Sequence, residues 1–544
     1  MAIFSVLNVT GIDSNGDFLG DGIQFGSLHN VASSGVALAP PPVFTPLGGT
    51  VFFNDLGSLT IVGTGLGFFP PVLVTGTVTS LTYTKLLPVF SITGTSVPLA
   101  DLATAFLLGG DELTLLATVF SGDDTITGSS MADRLYGFAG NDIILGSDGN
   151  DTLRGGAGID ILDGGNGSDF ANYQGSAAGV NVDLSTGINT GGDAQGDTLT
   201  SIENLYGSSN ADHLTGNSGA NIIGGENGDD VLVGNGGDDA MNGEAGNDNL
   251  DGGDGADRLV GAAGTDTIHG GTGVDSIDGG ADNDTLFGDD GNDTVAGGDG
   301  DDQIDGGADN DALYGQAGAD VMGGGDGNDV LRGGDGGDTL NGGTGNDVLE
   351  GDGGADALNG GDGIDTAYYA NSASAVTVNL ATGAGVGGDA QGDTLSGIEQ
   401  VLGSAFNDVL TGDASANTLQ GLGGDDTLTG GGGGDLLKGG AGNDTFVYLV
   451  IGDSTVAAAG KDVIGDFSTG DKIDLSAIDA NGAGPGNGAF IFGTGAFTGV
   501  AGELRVVTIG GVQLVAADTN GDRQLDFAIN VVSDHALTAA DFTL

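Results

Sequence analysis

The chain has 544 residues, 77 acidic against 10 basic, a formal net charge of -67, 115 glycines, and neither cysteine nor tryptophan. Glycine is about a fifth of the chain against a typical ~7%, yet proline is scarce and valine, isoleucine, leucine and phenylalanine stay common, which excludes collagen and a solvated linker. Only seven of the acids are Glu, and so dense a charge would repel itself and favour disorder unless short carboxylates beside glycines hold cations.

Residues 1–11 have no basic region and no long apolar core. Every apolar run up to residue 120 is broken well short of the ~18 residues a membrane span needs, so no cleaved signal and no membrane insertion are expected. Residues 1–120 read as a small, mostly β domain in which Lys85 is the only basic residue. Ser58-Leu59-Thr60-Ile61-Val62 and Val74-Thr75-Gly76-Thr77-Val78 alternate as strands do. Ser96, ahead of Pro98, is placed to cap a short helix over 99–108, and Asp111 another to 119. Such apolar helices would close the open end of a solenoid. Asp13, Asn15, Asp17 and Asp21 have the D-x-N-x-D-x-x-x-D spacing of a calcium loop, without the Glu that ends an EF-hand loop.

From Asp124 onward an acidic residue recurs every nine positions. The first run is Asp124, Asp133, Asp142, Asp151, Asp160 and Asp169. The second is Asp212, Asn221, Asp230, Asp239, Asp248, Asp257, Asp266, Asp275, Asp284, Asp293, Asp302, Asp311, Asp320, Asp329, Asp338, Asp347, Asp356 and Asp365. The third is Asp408, Asn417, Asp426, Asp435 and Asp444, so that 27 of 29 registers are Asp. Around them run units such as Gly155-Gly156-Ala157-Gly158-Ile159-Asp160-Ile161-Leu162-Asp163 and Gly342-Gly343-Thr344-Gly345-Asn346-Asp347-Val348-Leu349-Glu350. Over 121–445 the chain thus resembles the RTX family, whose haemolysin-type nonapeptide is G-G-x-G-x-D-x-U-x with U a large apolar residue.

The glycines permit a tight turn with φ values closed to other residues and bring carbonyl oxygens close to a cation, while the Asp adds a hard anionic oxygen. Calcium takes six to eight such oxygens, which half-loops from neighbouring coils can supply together. The x-U-x tripeptide predicts a short strand with its apolar side chain inward, as for Leu153, Leu162, Leu259, Ile268, Leu331 and Leu340. Two nonapeptides make one coil, so each strand is expected to pair with the one 18 residues on. The resemblance implies an all-β fold, a right-handed parallel β-roll with calcium between its turns. About one ion per pair of stacked turns gives on the order of 20 to 25 calcium ions, enough to cancel most of the charge.

The two breaks in the repeat are a duplication. Residues 169–225 and 365–421 align at an offset of 196, Tyr173 with Tyr369 and Asp193-Ala194-Gln195-Gly196-Asp197 with Asp389-Ala390-Gln391-Gly392-Asp393. Each is read as a longer coil, near 170–211 and 366–407, with a strand at 180–184 or 376–380. Either could be a ligand loop; a duplicated structural coil is the plainer expectation.

Residues 446–544 leave the repeat and read as a β cap. Asp462-Val463-Ile464-Gly465-Asp466-Phe467, Gly470-Asp471-Lys472-Ile473-Asp474-Leu475 and the closing Ala540-Asp541-Phe542-Thr543-Leu544 resemble the C-terminal domain of serralysin-type proteases. That resemblance implies a type I secretion signal and export, by type I secretion machinery, from a Gram-negative bacterium. Asp518, Asn520, Asp522 and Asp526 repeat the calcium-loop spacing seen near the N-terminus. Extracellular calcium modules bind at ~10⁻⁴ to 10⁻³ M, so such a chain would fold only after leaving the cell.

The four histidines, His29, His213, His269 and His535, are isolated, and none begins H-E-x-x-H. No serine lies in G-x-S-x-G. Paired acids such as Asp229-Asp230, Asp301-Asp302 and Asp425-Asp426 are accounted for by the repeat rather than by a glycosidase pair. No catalytic or other cofactor-binding residue is therefore expected, and the chain is read as no enzyme. No basic patch could release counterions from a phosphate backbone, so nucleic acid is not an expected partner. The reading reached is a secreted, calcium-binding structural protein that self-associates at the cell surface or in the extracellular matrix, as a surface layer, fibril or biofilm component. The alternatives are an adhesin binding a cell-surface glycan, with Tyr83, Tyr173 and Tyr369 as candidate aromatic platforms, or an enzyme of unfamiliar kind in residues 1–120. A pore-forming toxin would need a long apolar region that this sequence lacks.

Overall fold

The computed structural model describes residues 122–481 and 488–544 throughout, and before them the backbone of six strands. The chain divides into two compact units, Met1–Ala245 and Gly246–Leu544. The helices expected at 99–108 and 111–119, and the loop of Asp13, Asn15, Asp17 and Asp21, lie outside the described residues.

The first unit begins its described part with a short antiparallel pair, Leu7–Asn8 with Gln24–Phe25. An antiparallel meander follows, Gly49–Phe53, Gly57–Phe69, Leu73–Thr84 and Val89–Pro98. The stretches read as strands at 58–62 and 74–78 fall within it. Val89–Pro98 then pairs antiparallel with Thr125–Thr127, which in turn pairs parallel with Ile143–Asp148. The meander therefore covers the first edge of a parallel sheet, a place that would otherwise present unpaired backbone groups.

From there the unit is a parallel roll. Thr152 stands beside Arg134 and Ile161 beside Ile143, so strands pair at the 18-residue spacing read from the repeat. The strands are longer than the expected tripeptide. Thr152–Ala157 and Ile161–Asn166 run on through their glycines, because the backbone keeps its ladder partners past the apolar residue. Burial alternates along them, and the inward residues Ile144, Leu153 and Leu162 are fully buried. Removing each such side chain from water contributes ~1.5–3 kcal/mol.

The second unit repeats the design. Parallel strands such as Arg258–Ala263, Ser276–Ala281, Thr294–Asp299 and Ala312–Ala317 form one sheet, and Asn249–Gly255, Thr267–Gly273, Thr285–Gly291 and Gln303–Ala308 the other. Leu250, Leu259, Ile268, Leu286, Leu313, Leu331 and Leu340 are fully buried between them. Parallel pairing also continues past residue 446. Val463–Phe467 pairs parallel with Leu436–Lys438, and Lys472–Asp474 with Thr445–Val447. The last strands are then covered: Phe527–Ser533, from the meander Glu503–Ile509, Val512–Asp518, Phe527–Ser533, pairs with Val463–Phe467, and Phe542–Thr543 with Lys472–Asp474. Among the described residues no helix is long and apolar enough to cross a membrane.

In both units the longer coils keep the sheets in step. Ile161 pairs with Thr198 and Phe170 with Asn204 in the first, Ala357 with Thr394 and Thr366 with Gln400 in the second. The strands Asn181–Asp183 and Thr377–Asn379 fold inside the predicted stretches and join the next coil in parallel.

Candidate metal centre

Register aspartates form a ladder along each roll. One carboxylate oxygen, Oδ1, accepts the backbone N–H of the register residue one coil earlier: Asp142 from Asp124 at 2.8 Å, Asp284 from Asp266 at 2.8 Å, Asp329 from Asp311 at 2.9 Å. The other oxygen, Oδ2, has no such use. In Asp124, Asp142, Asp151, Asp160 and Asp169 of the first unit it is buried without a hydrogen-bond partner among the described residues. The same holds in the second unit for every register Asp from Asp266 to Asp365, and for Asp426, Asp435 and Asp444. A buried carboxylate oxygen with nothing to accept from is among the costlier states a protein can hold, and here it recurs coil after coil.

The space beside each open Oδ2 is kept clear by glycine. A Cβ on Gly306 would lie 2.4 Å from Asp311 Oδ2 and 2.6 Å from the carbonyl oxygen of Gly324 in the next coil. A Cβ on Gly137 would lie 2.2 Å from Asp142 Oδ2 and 2.7 Å from the Gly155 carbonyl. One carboxylate oxygen and one main-chain carbonyl oxygen thus converge on each cradle. The two asparagine registers also put an oxygen in that space, a Cβ on Gly216 lying 2.2 Å from Asn221 Oδ1 and one on Gly412 2.5 Å from Asn417 Oδ1, while the amide nitrogen turns to the preceding coil. Asn221 Nδ2 donates to the Glu203 carbonyl at 2.6 Å, and Asn417 Nδ2 to the Glu399 carbonyl at 3.4 Å. There the cradle oxygen is served, since Asn221 Oδ1 accepts the Asn217 N–H and Asn417 Oδ1 the Asp413 N–H, each at 2.8 Å. At the open Asp registers, carboxylate and carbonyl oxygens face each other and need a cation or a proton between them.

The electrostatics agree. Burial, with like-charged neighbours adding to it against the pull of the ladder hydrogen bond, pushes the carboxyls of Asp142, Asp284 and Asp311 up to about 7 from the ordinary 3.8. A column of such groups at neutral pH needs protons or bound cations. The donors are hard oxygens, which suit calcium and not a thiolate- or imidazole-seeking metal. Among the described residues no three His, Cys, Asp or Glu side chains gather into a metal cluster. That is the outcome of a design in which each coil supplies carboxylates singly and the backbone supplies carbonyls. Calcium fits these residues: it would be held by Oδ2 of a register Asp and neighbouring glycine carbonyls, and its charge would neutralise the column.

Some predicted registers are built differently. At Asp133, Asp212 and Asp408 a serine stands four residues earlier. Ser208 donates its N–H to Asp212 Oδ2 at 2.5 Å and its hydroxyl to Oδ1 at 2.9 Å, Ser404 does the same to Asp408, and Ser129 donates both groups to Asp133. In the C-terminal loop the carboxylates serve the loop itself. Asp518 accepts from the N–H groups of Gly521 and Arg523, Asn520 from Asp522, and Asp526 from Thr519.

The longer coils supply ladder residues that the nine-residue spacing did not reveal. Asp160 donates its N–H to Asp197 Oδ1 at 2.8 Å and Asp169 to Glu203 Oε2 at 2.9 Å. Asp356 and Asp365 donate likewise to Asp393 and Glu399, each at 3.0 Å. Here Oδ2 is not open. Tyr173 gives its hydroxyl to Asp197 Oδ2 at 3.2 Å and Tyr369 to Asp393 Oδ2 at 2.9 Å. Tyr173 and Tyr369 are only 1% and 2% exposed, which corrects their reading as aromatic platforms: each follows an alanine at the core position, Ala171 or Ala367, and its ring is core. Tyr83 lies in a described strand, but its side chain is outside the described residues. Asp462 and Asp471 also continue the ladder, accepting from Asp435 and Asp444 at 3.0 Å.

Comparison with known proteins bears on the same residues. The profile of the RTX calcium-binding nonapeptide repeat matches 119–172, 197–367 and 393–446 in overlapping copies, just over half of the chain. "Metalloprotease AprA" of Pseudomonas entomophila is 51% identical over 144 residues, 26% of this chain and 29% of its own length. "Serralysin" of Photorhabdus laumondii is 49% identical over 151 residues, 27% of this chain and 30% of its own. The chain thus spans under a third of the length of these curated relatives. The crystal structure of the extracellular lipase LipA from Serratia marcescens aligns with 50% of this chain and 40% of its own at 16% identity, with a TM-score of 0.16. The expectation that the chain is no enzyme is corrected by these relatives. A repeat region like this one is carried by metalloproteases, so the presence of a roll is no argument against catalysis.

Proposed function

Since this chain belongs to the RTX calcium-binding nonapeptide repeat family, and is a calcium-binding repeat protein of the secreted type, we propose that its rolls fold on calcium outside the cell and serve there as a self-assembling structural element. A surface layer, a fibril or a biofilm matrix are the settings meant. The row of open Oδ2 atoms carries the first half of this reading: without a cation the fold holds buried, mutually repelling carboxylates, and millimolar calcium removes that cost. Self-assembly draws support from the outer faces, where Asp251, Asp278, Asp305 and Asp309 are exposed and within reach of calcium that bridges molecules. Export by a type I system and an ion count of about 20 to 25 belong to the same proposal, as do the division near residues 120 and 446 and calcium at the loop of Asp518, Asn520, Asp522 and Asp526.

The experiment is a calcium titration of chelator-stripped protein, followed by circular dichroism and then by negative-stain electron microscopy. The reading expects β structure to appear at about millimolar calcium and ordered sheets or filaments to follow. Folding into a monodisperse particle would remove self-assembly while leaving calcium folding intact. A second reading rests on the metalloprotease relatives: the rolls accompany an activity carried by residues 1–120. Protease and esterase assays of the full calcium-loaded chain test it.

A further inference from the structure

The outer face of one sheet in the second unit carries a groove of about 580 Å³. Its floor is bare backbone at Gly333, Gly334 and Gly353, and Tyr314, Gln316, Arg332, Asp335, Asp352 and Asp389 line it. Tyr314 and Arg332 are side-by-side neighbours on parallel strands, and Arg332 stands beside Glu350 on the next. The wall is the turn Gly388–Ala390 of the longer coil, whose Asp389 faces the groove. Asn371 fastens that coil to the floor through Glu350 at 2.6 Å. Tyr314 is 36% exposed.

From this arrangement we infer that the groove is a saccharide-binding site for a neutral hexose chain. Arg332 is forked onto Asp352 through Nε and Nη2, so its charge is spent and its orientation fixed. Asp335 and Asp389 leave the groove net negative on a chain of charge -67, which disfavours phosphate, sulfate and carboxylate polymers. The position beside the ring is already taken by a guanidinium, so the ring is not an open seat for another cation. What remains is a part-exposed aromatic ring next to a side-chain-free floor, bordered by one amide and by the two carboxylates, Asp335 and Asp389, that Arg332 does not hold as it holds Asp352. An aldohexose ring presents the matching chemistry, an apolar C–H face to stack on Tyr314 and hydroxyls to donate to Gln316, Asp335 and Asp389.

The pairing is not confined to one place. In the first unit Tyr136, 40% exposed, stands beside Arg154 on parallel strands, and a Cβ on Gly175 of the first longer coil would fall 1.2 Å from Arg154 Nη2. The chain has only 10 basic residues, and two of its arginines are spent in this relation, each with a neighbouring tyrosine beside a longer coil.

The test is isothermal titration of the full chain, folded in saturating calcium, with maltohexaose, cellohexaose and mannohexaose, and with heparin as the sulfated control. The inference expects saturable binding of at least one neutral hexaose. Tyr314→Ala should weaken it about tenfold and Tyr314→Phe about twofold or less, with circular dichroism of both variants unchanged because the side chain points away from the core. No saturable binding of any hexaose, equal binding by Tyr314→Ala, or tighter binding of heparin than of every hexaose would each overturn it.

Discussion

In the regular coils of the second unit Asp311 offers a buried Oδ2 with no donor near it, while in the longer coil the same oxygen of Asp393 receives the Tyr369 hydroxyl at 2.9 Å. The first unit shows the same pair of solutions in Asp142 and Asp197. Both kinds of register keep the Oδ1 ladder, so the coil-to-coil spacing survives the longer loop. They differ in what faces Oδ2: a glycine cradle suited to a cation, or a phenol from the core. The duplicated coils thus read as interruptions in a calcium row that leave the sheets intact, and a tyrosine buried beside an alanine is the device that makes this possible.

The largest expected effect tests the part both kinds of coil share. Leu331→Ala removes a fully buried core side chain and should cost about 2–5 kcal/mol in urea unfolding at saturating calcium, whichever way nearby carboxylates are satisfied. Next comes the hydroxyl. Tyr369→Phe leaves Asp393 Oδ2 buried and unserved and should cost about 1–3 kcal/mol in the same measurement; a neutral outcome would mean that this oxygen finds a cation as its neighbours do. Metal content then separates the registers directly. Asp311→Asn should lower the bound calcium measured by equilibrium dialysis, and Asp393→Asn should leave it unchanged.

Acid supplies a smaller, graded effect. Because burial raises the carboxyls of Asp142, Asp284 and Asp311 to about 7, the folded chain binds more protons than the unfolded one between about pH 4 and pH 7. Its metal-free stability therefore falls as pH rises through that window. Circular dichroism of chelated protein should show more β structure near the acid end than at neutral pH. Calcium should abolish the difference. The smallest effect concerns the turn: Ala262 holds φ 83 where most coils have glycine, and Ala262→Gly should stabilise by about 0.5–1 kcal/mol.

Much of this was legible before any coordinates. The nine-residue spacing of Asp124 to Asp169 fixed the 18-residue pairing, the inward leucines and the carboxylates that face the cradles, because a solenoid turns sequence period directly into spatial register. Asp197, Glu203, Asp393 and Glu399 were hidden, since an insertion changes the separation of ladder partners while the backbone closes the coil regardless. Their signal was the duplication itself, which places the same residues at the same offset in both copies. Asp462 and Asp471 were hidden differently. They still fall on multiples of nine from Asp444, as does Asp453, but the glycines around them thin out and the segment reads as a separate cap. Tyr173 and Tyr369 were misread because the repeat has glycine two residues past the core position; a tyrosine there still falls on the inward alternation, two residues past Ala171 or Ala367, and is buried.

The most direct measurement is a crystal structure grown in calcium, with anomalous difference maps collected at a wavelength where calcium scatters. Peaks are predicted beside the Oδ2 atoms of the open registers, Asp142 and Asp311 among them, bounded by glycine carbonyls, with none beside Oδ2 of Asp197 and Asp393. Peaks of equal height at the tyrosine-capped registers, or none at the open ones, would contradict the account.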